Sequence, residues 1–279
     1  MAKAPKKTPG TDIVDWEAQM AEQAKMAAEA EKLTGGGKFF STRAGVLSFN
    51  ETALPGNQMA VVILDSIYET LYYEGAFDPD NRQGPTAFAL GRDPDELVWN
   101  EEYSDPEYAG QLCKDSDICQ WGSAETGRGK AAKEQRRLAV IPAGSYQSLG
   151  KGKGYDLELF DDEDLFAKAD IAYLKVPVMS VKGFSRFVHS VAEEFKRPPH
   201  GVFARIWIEP DPKSQFRIEF EVLEEIPNEL LPVVMKRHEQ AKKEIDFPYV
   251  PFVAEEEAPK TPARKTGANS KLAKGRGKK

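Results

Sequence analysis

The chain has 279 residues, 30% charged and 10% aromatic, with a formal charge of −7. It is long enough to bury a sizeable core in one or two domains, and too rich in apolar residues for a disordered polymer. No apolar run approaches the ~18 residues of a membrane span, no apolar stretch follows Met1-Ala-Lys-Ala-Pro-Lys-Lys7, and two cysteines make no disulfide framework, so a cytoplasmic, reducing location is expected.

In chain order, residues 1–12 are expected to be disordered. Ile13 to Leu33, rich in Ala, Glu, Lys and Met, reads as a helix ended by Gly35-Gly-Gly37. Period-two patterning then predicts a strand from Lys38 to Phe49 and, after the turn Leu54-Pro-Gly-Asn57, a buried strand from Gln58. Its continuation through the tyrosines to Tyr73 fits a second strand or a short helix. Phe77 to Gln83 reads as loop, Thr86 to Leu90 as a short strand, and the acidic stretch Gly91 to Cys119 mostly as loop. Further strands are predicted over Arg137 to Ile141 and Ala169 to Met179. Phe184, Phe187, Val188, Val191 and Phe195 recur at three and four, which predicts a helix over Val181 to Phe195 stopped by Arg197-Pro-Pro199. A hairpin of Val202 to Ile208 and Gln215 to Val222 follows, then a last helix capped by Asn228 and running to about Ile245. Short strands with a few helices predict a mainly-β or α+β class, with an OB-like β-barrel core. Three regions are expected: an arm over 1–37, a nucleic-acid-binding domain over 38–253, and a disordered basic tail over 254–279.

Charge is distributed unevenly. From Gln120 to Gly154 there are seven basic residues (Arg128, Lys130, Lys133, Arg136, Arg137, Lys151, Lys153) against Glu125 and Glu134. A basic, Gly-rich island in an acidic protein suggests an anionic ligand, with a solvated loop as the competing reading. Lys260 to Lys279 holds eight Lys/Arg and no acid, leaving 30 basic against 45 acidic residues elsewhere, or −15.

The residues that could carry catalysis do not assemble into a pattern, and no enzyme is expected. Gly127-Arg-Gly-Lys130 fails as a phosphate-binding P-loop because Ala124 stands where Gly is needed and Ala131 where Ser or Thr is needed. His189, His200 and His238 are scattered. Asp161-Asp-Glu-Asp164 reads as a solvated loop or helix cap. Cys113 and Cys119, separated by five residues, supply only two of the four ligands of structural zinc.

In the hairpin, Val202, Ala204, Ile206 and Ile208 share one strand face, and Phe203, Arg205 and Trp207 the other. Aromatics interleaved with cations suit single-stranded nucleic acid, each stacked base being worth roughly 1–3 kcal/mol. Burial of both faces under helices is the alternative.

The segments Phe40-Ser-Thr-Arg-Ala-Gly-Val-Leu-Ser-Phe49, Trp121-Gly-Ser-Ala124, Gly127-Arg-Gly-Lys-Ala131, Arg136-Arg-Leu-Ala139 and Asp211-Pro-Lys-Ser-Gln-Phe216 resemble a family of bacteriophage and prophage single-stranded DNA-binding, replication-associated proteins. The resemblance covers roughly residues 38–250. It implies a sequence-tolerant single-stranded DNA-binding protein of phage replication or recombination, found in the host cytoplasm, with replication proteins as further partners and oligomers allowed. The expected interface adds Arg43 and Trp121 to the basic island and to Phe203, Arg205 and Trp207. The resemblance also implies cysteines around the Trp121 segment forming a small zinc site. Only Cys113 falls at such a position; Ser116, Ala87 and Ala132 occupy the others and Cys119 lies out of place, so no zinc or other cofactor is expected. The Trp121 loop is then held by packing of Trp121 and by backbone turns. The alternative function is a phage structural or assembly protein whose basic loop and tail contact nucleic acid or a neighbouring subunit.

Overall fold

A computed structural model describes residues 38–75, 84–125 and 127–249. The arm over 1–37, the whole Phe77–Gln83 loop, the last residues of the central domain and the whole basic tail lie outside the described residues.

The class is mainly β with a few helices, as the sequence predicts. Short strands β1 (Ser48–Phe49) and β2 (Thr52–Ala53) form a small hairpin. The main sheet contains β3 (Gln58–Tyr72), β4 (Ala87–Gly91), β5 (Lys133–Pro142), β8 (Ala172–Val176), β9 (Val202–Asp211) and β10 (Gln215–Glu225). Its order is β10-β9-β3-β5-β8, with β4 also on β3, and every pairing between these strands is antiparallel. A separate hairpin joins β6 (Gly144–Ser148) to β7 (Tyr155–Leu159). The helices are α1 (Glu163–Lys168), α2 (Val178–Ser190, extended by a wider turn to Phe195) and α3 (Leu231–Glu244).

β3 organises the sheet. The tyrosine stretch continues it as one strand of 15 residues. Its first half pairs with β9 from Gln58 to Val61 and its last part with β4 from Tyr68 to Tyr72, while β5 runs along the other side. A bulge lies between Ile63 and Asp65. Both faces of β3 are apolar because both are covered, the situation that removes strict alternation from a strand. On one face Met59, Val61, Ile63, Leu138, Leu174 and Ile206 pack with Phe184, Phe187 and Val191 of α2. On the other, Val62, Leu64, Ala139 and Ile141 pack with Phe166 of α1 and Val234 and Ala241 of α3.

The two edges of the main sheet, β8 and β10, do not pair, so no closed barrel is found among the described residues. Helix α2 links them. It begins two residues after β8, and the Ile218 N–H of β10 donates to Ser180 Oγ in its first turn at 2.8 Å. Phe184 and Phe187 then pack on Phe220 at ring separations of 5.3 and 5.9 Å.

Several boundaries differ from expectation. The strand predicted over Ala169 to Met179 stops at Val176, and Val178 and Met179 already belong to α2. Lys38 to Phe49 is not one strand: Phe39 and Ser41 make isolated bridges, and Arg43–Gly45 forms a tight turn with Ala44 and Gly45 at positive φ. Asn228 does not cap the last helix, which follows Leu230 and carries Pro232 in its first turn, where a proline is expected. Asp162 does cap a helix, accepting from the Asp164 N–H at 2.9 Å, as one reading of the acidic run expects.

Candidate nucleic-acid interface

The basic island folds as a closed loop leading into β5. Gly122 N–H and Ala124 N–H both donate to Gly129 O, at 3.0 and 3.2 Å. Ser123 Oγ accepts from Ala131 N–H at 2.9 Å and lies within hydrogen-bonding distance of the Gln120 and Ile118 carbonyls. Gly122 and Gly127 adopt positive φ, which their missing Cβ permits. The expected backbone turns therefore hold the loop. The expected packing of Trp121 does not: its side chain is 80% exposed, with Lys130 Nζ 5.8 Å from its ring centre. The indole is the most exposed large apolar side chain among the described residues, and burial against a flat ligand would stabilise it.

Trp121 stands at the rim of a cleft of about 660 Å³ between the loop, the Tyr68 end of β3 and the first turns of α2. Lys114, Lys130, Arg136 and Lys182 supply its cations, and Asp95 and Glu134 its exposed acids. Lys130 pairs with Glu134 at 2.6 Å, an exposed i,i+4 contact of small energetic value. Lys133 Nζ donates to Lys130 O at 3.2 Å. Arg136 lies over the Tyr68 ring, its cross-strand neighbour. Burial pushes the Arg136 guanidinium pKa down, partly offset by Tyr68, and its Nε finds no partner among the described residues. Arg128 is exposed on the loop.

Arg137, the next residue, is corrected. It is fully buried on the opposite sheet face, paired through Nε with Glu69. Its Nη1 donates to the Ile245 and Phe247 carbonyls at 3.0 and 2.9 Å. Alternation along β5 requires this: if Arg136 faces the cleft, Arg137 must face α3. A phosphate cannot reach it.

The stacking platform expected on β9 is corrected as well. Phe203 is 1% exposed and stacks on Phe166 of α1 at 6.0 Å. The covering helices are α1 and α3, whereas the amphipathic α2 takes the other face. Arg205 and Trp207 are half-buried and already occupied. Arg205 Nη1 pairs with Glu221 at 2.8 Å and its guanidinium lies 4.8 Å from the Trp207 ring, while Trp207 Nε1 donates to Glu209 at 2.8 Å. The cross-strand partners of Trp207 and Arg205 on β10 are Glu219 and Glu221, which make this face acidic.

The remaining expected interface residues scatter. Lys151 and Lys153 are exposed on the β6–β7 turn, and Arg43 is exposed in the turn before β1. The hairpin follows Pro142, which pairs with Val61, and Trp207 pairs with Gln58, so both stand at the opposite end of β3 from the cleft. Ten residues of extended chain separate Gln58 from Tyr68, roughly 30 Å. The structure thus groups Trp121, Lys130 and Arg136 around one cleft and leaves Lys151, Lys153, Arg205 and Trp207 apart from it.

Sequence reasoning missed Tyr68, Lys114 and Lys182 as cleft residues. Lys182 had a signal, being on the polar side of a helix whose apolar stripe was legible. Lys114 had none, because the 91–119 segment carries no periodicity.

The cysteines are closer than their spacing suggested. Cys113 and Cys119 end up in one buried cluster with Ala87, Ala89, Ala132 and Trp99. This set does not fit zinc. The two thiols share their cluster with Ala87, Ala89, Leu97, Trp99 and Ala132, none of which ligates a metal, where structural zinc wants four nitrogen or sulfur ligands, and no group of three or more His, Cys, Asp or Glu is placed for a metal among the described residues.

No protein-family model, no curated protein and no solved structure matches this chain. The cleft has to be read from its own chemistry.

Proposed function

We infer that the chain binds single-stranded DNA without strong sequence preference, and that the cleft beside Trp121 is where it does so. The observation that carries this reading is the exposed indole set at the rim of a cleft with Lys114, Lys130, Arg136 and Lys182. Unpaired bases offer flat faces to such a ring, and the cations attract the phosphates between them. Binding rather than catalysis is proposed, and the resemblance to phage replication proteins supplies the setting, replication or recombination in a host cytoplasm. An overall negative charge does not oppose the reading, because association follows local potential.

An OB-like core belongs to the same proposal. What supports it is that α2 links β8 and β10, which do not pair with each other, around a common apolar interior. The alternative assembly role would use a free sheet edge or an apolar face. It is the weaker reading, because Ser180 takes up the outward Ile218 N–H of β10 and Phe203 is covered within its own chain.

Anisotropy of a labelled single strand tests the assignment. Trp121→Ala should cost about 1–3 kcal/mol of affinity, the loss typical of one stacked base. Trp207→Ala should leave affinity unchanged. Equal affinity of wild type and Trp121→Ala, with loss on changing Trp207, would move the site to the sheet face.

A further inference from the structure

We propose that Cys113 and Cys119 are an oxidisable dithiol, which hydrogen peroxide converts into an intrachain disulfide at the base of the cleft.

The argument begins with the backbone. Cys113–Asp115 and Asp117–Cys119 are two consecutive tight turns. Ser116 N–H donates to Cys113 O at 3.2 Å and Cys119 N–H donates to Ser116 O at 3.0 Å, so the chain winds back on itself and returns both side chains to one cluster. Both side chains are nearly enclosed, yet both line the cleft, which opens to solvent. A small oxidant can therefore reach them where a second protein molecule cannot. This geometry favours an intrachain bond over a link between chains.

The two thiols are also made unequal by their surroundings. The neighbouring Cys113 thiol pulls the Cys119 pKa down against burial and the Glu134 charge, with Lys130 adding to the lowering. The Cys113 thiol is pushed up by Cys119 and by burial. The thiolate is the reactive form, so Cys119 is the attacking sulfur and Cys113 the resolving one.

The chemistry balances. The Cys119 thiolate attacks one peroxide oxygen, the O–O bond breaks, and the departing hydroxide takes up a proton and leaves as water. Cys119 is then a sulfenic acid. The Cys113 sulfur attacks the Cys119 sulfur, its thiol proton joins the departing hydroxyl, and a second water leaves. The two thiols lose two electrons and one peroxide gains them. Nothing in these steps depends on what the cleft binds.

The test is intact mass and peptide mapping of the full chain after peroxide treatment. Trypsin cuts after Lys114, which puts Cys113 and Cys119 on different peptides. The expected result is a monomer lighter by two hydrogens, with no alkylatable thiol after denaturation and peptides 93–114 and 115–128 joined until a reductant is added. Cys113→Ser should instead accumulate a sulfenic acid on Cys119 that a 1,3-dione captures, while Cys119→Ser should leave Cys113 unmodified at the same dose. The wild-type mass decides even if a variant fails to fold. Interchain dimers, two thiols still alkylatable, or sulfinic acid without the cross-link would each overturn the proposal.

Discussion

Arg136 and Arg137 are neighbours on β5 and face opposite worlds. Arg136 lies over Tyr68 in the cleft, whereas Arg137 is sealed against Glu69 and the chain after α3, holding the Ile245 and Phe247 carbonyls. Tyr249 donates its hydroxyl to the same Glu69, and Phe247 lies 4.6 Å from the Arg137 guanidinium. One arginine of the pair is available to a ligand and the other ties the end of the domain to the sheet.

Removing that tie should be costly. Arg137→Ala removes the closest cation from the buried Glu69 and leaves it only Lys175, 3.8 Å away, so a cost approaching the about 3–5 kcal/mol of a broken buried pair is expected. Replacing Arg137, Glu69 and Lys175 together by Met should cost distinctly less, since no member of the charged cluster is then left alone. Urea unfolding of wild type and the two variants checks this. An Arg137→Ala variant as stable as wild type would show that the pair does not hold the fold.

Phe203 should behave as a core residue. Phe203→Ala opens a cavity under Phe166 and should destabilise by about 3–5 kcal/mol. Binding of single strands by the fraction that remains folded should be unchanged. A large affinity loss without a stability loss would restore the stacking platform on β9.

The fold was legible where periodicity is strong and tertiary context adds nothing. The apolar run from Met59 predicts a buried strand, Phe184, Phe187 and Val191 predict α2, and the Val202/Gln215 hairpin is found with longer strands. The role of Phe203 was not legible. Period two places it opposite Val202 and Ala204, but only α1 and α3, brought over from elsewhere in the chain, decide that this face is covered too. Arg137 was missed for a related reason. A run of basic residues reads as one patch in sequence, while a strand divides it between two faces. Trp121 and Lys130 were legible as a pair because a closed loop keeps near neighbours together. Tyr68 and Lys182 join them only through long-range packing.

The cations of the loop and of the start of β5 should appear in the salt dependence. Changing Arg128, Lys130 and Lys133 together to Ala should weaken binding of all single strands alike. The slope of log affinity against log salt should fall by about 0.7 for each phosphate that is no longer neutralised. An unchanged slope in a folded variant would exclude the loop from the interface.

Stability should fall on mild acidification. Burial, then the stacked His238 ring at 4.1 Å, depresses the His200 pKa below its ordinary value, with Asp65 and Glu239 opposing. The unfolded chain then binds the proton more readily, so this contribution is fully present above about pH 6.5 and is lost as pH falls through the lower folded value. His200→Phe should flatten that part of the stability–pH curve. An identical curve in wild type and variant would show that another group sets the slope.

The cysteine cluster should need no metal. With only two thiols in an otherwise apolar cluster, the purified protein should contain no stoichiometric zinc, and a chelator should not lower its melting temperature. About one zinc per chain on elemental analysis would return Cys113 and Cys119 to a ligand set completed by other residues.

The central claim is that Trp121 meets the bases of a single strand, and tryptophan emission during titration with an unlabelled oligonucleotide tests it most directly. Trp99 is fully buried and Trp207 is bonded to Glu209, which leaves Trp121 as the exposed indole among the described residues. The account predicts saturable quenching in wild type, most of it lost in Trp121→Phe and retained in Trp207→Phe. Binding with no change in emission, or quenching that survives in Trp121→Phe and vanishes in Trp207→Phe, would contradict it.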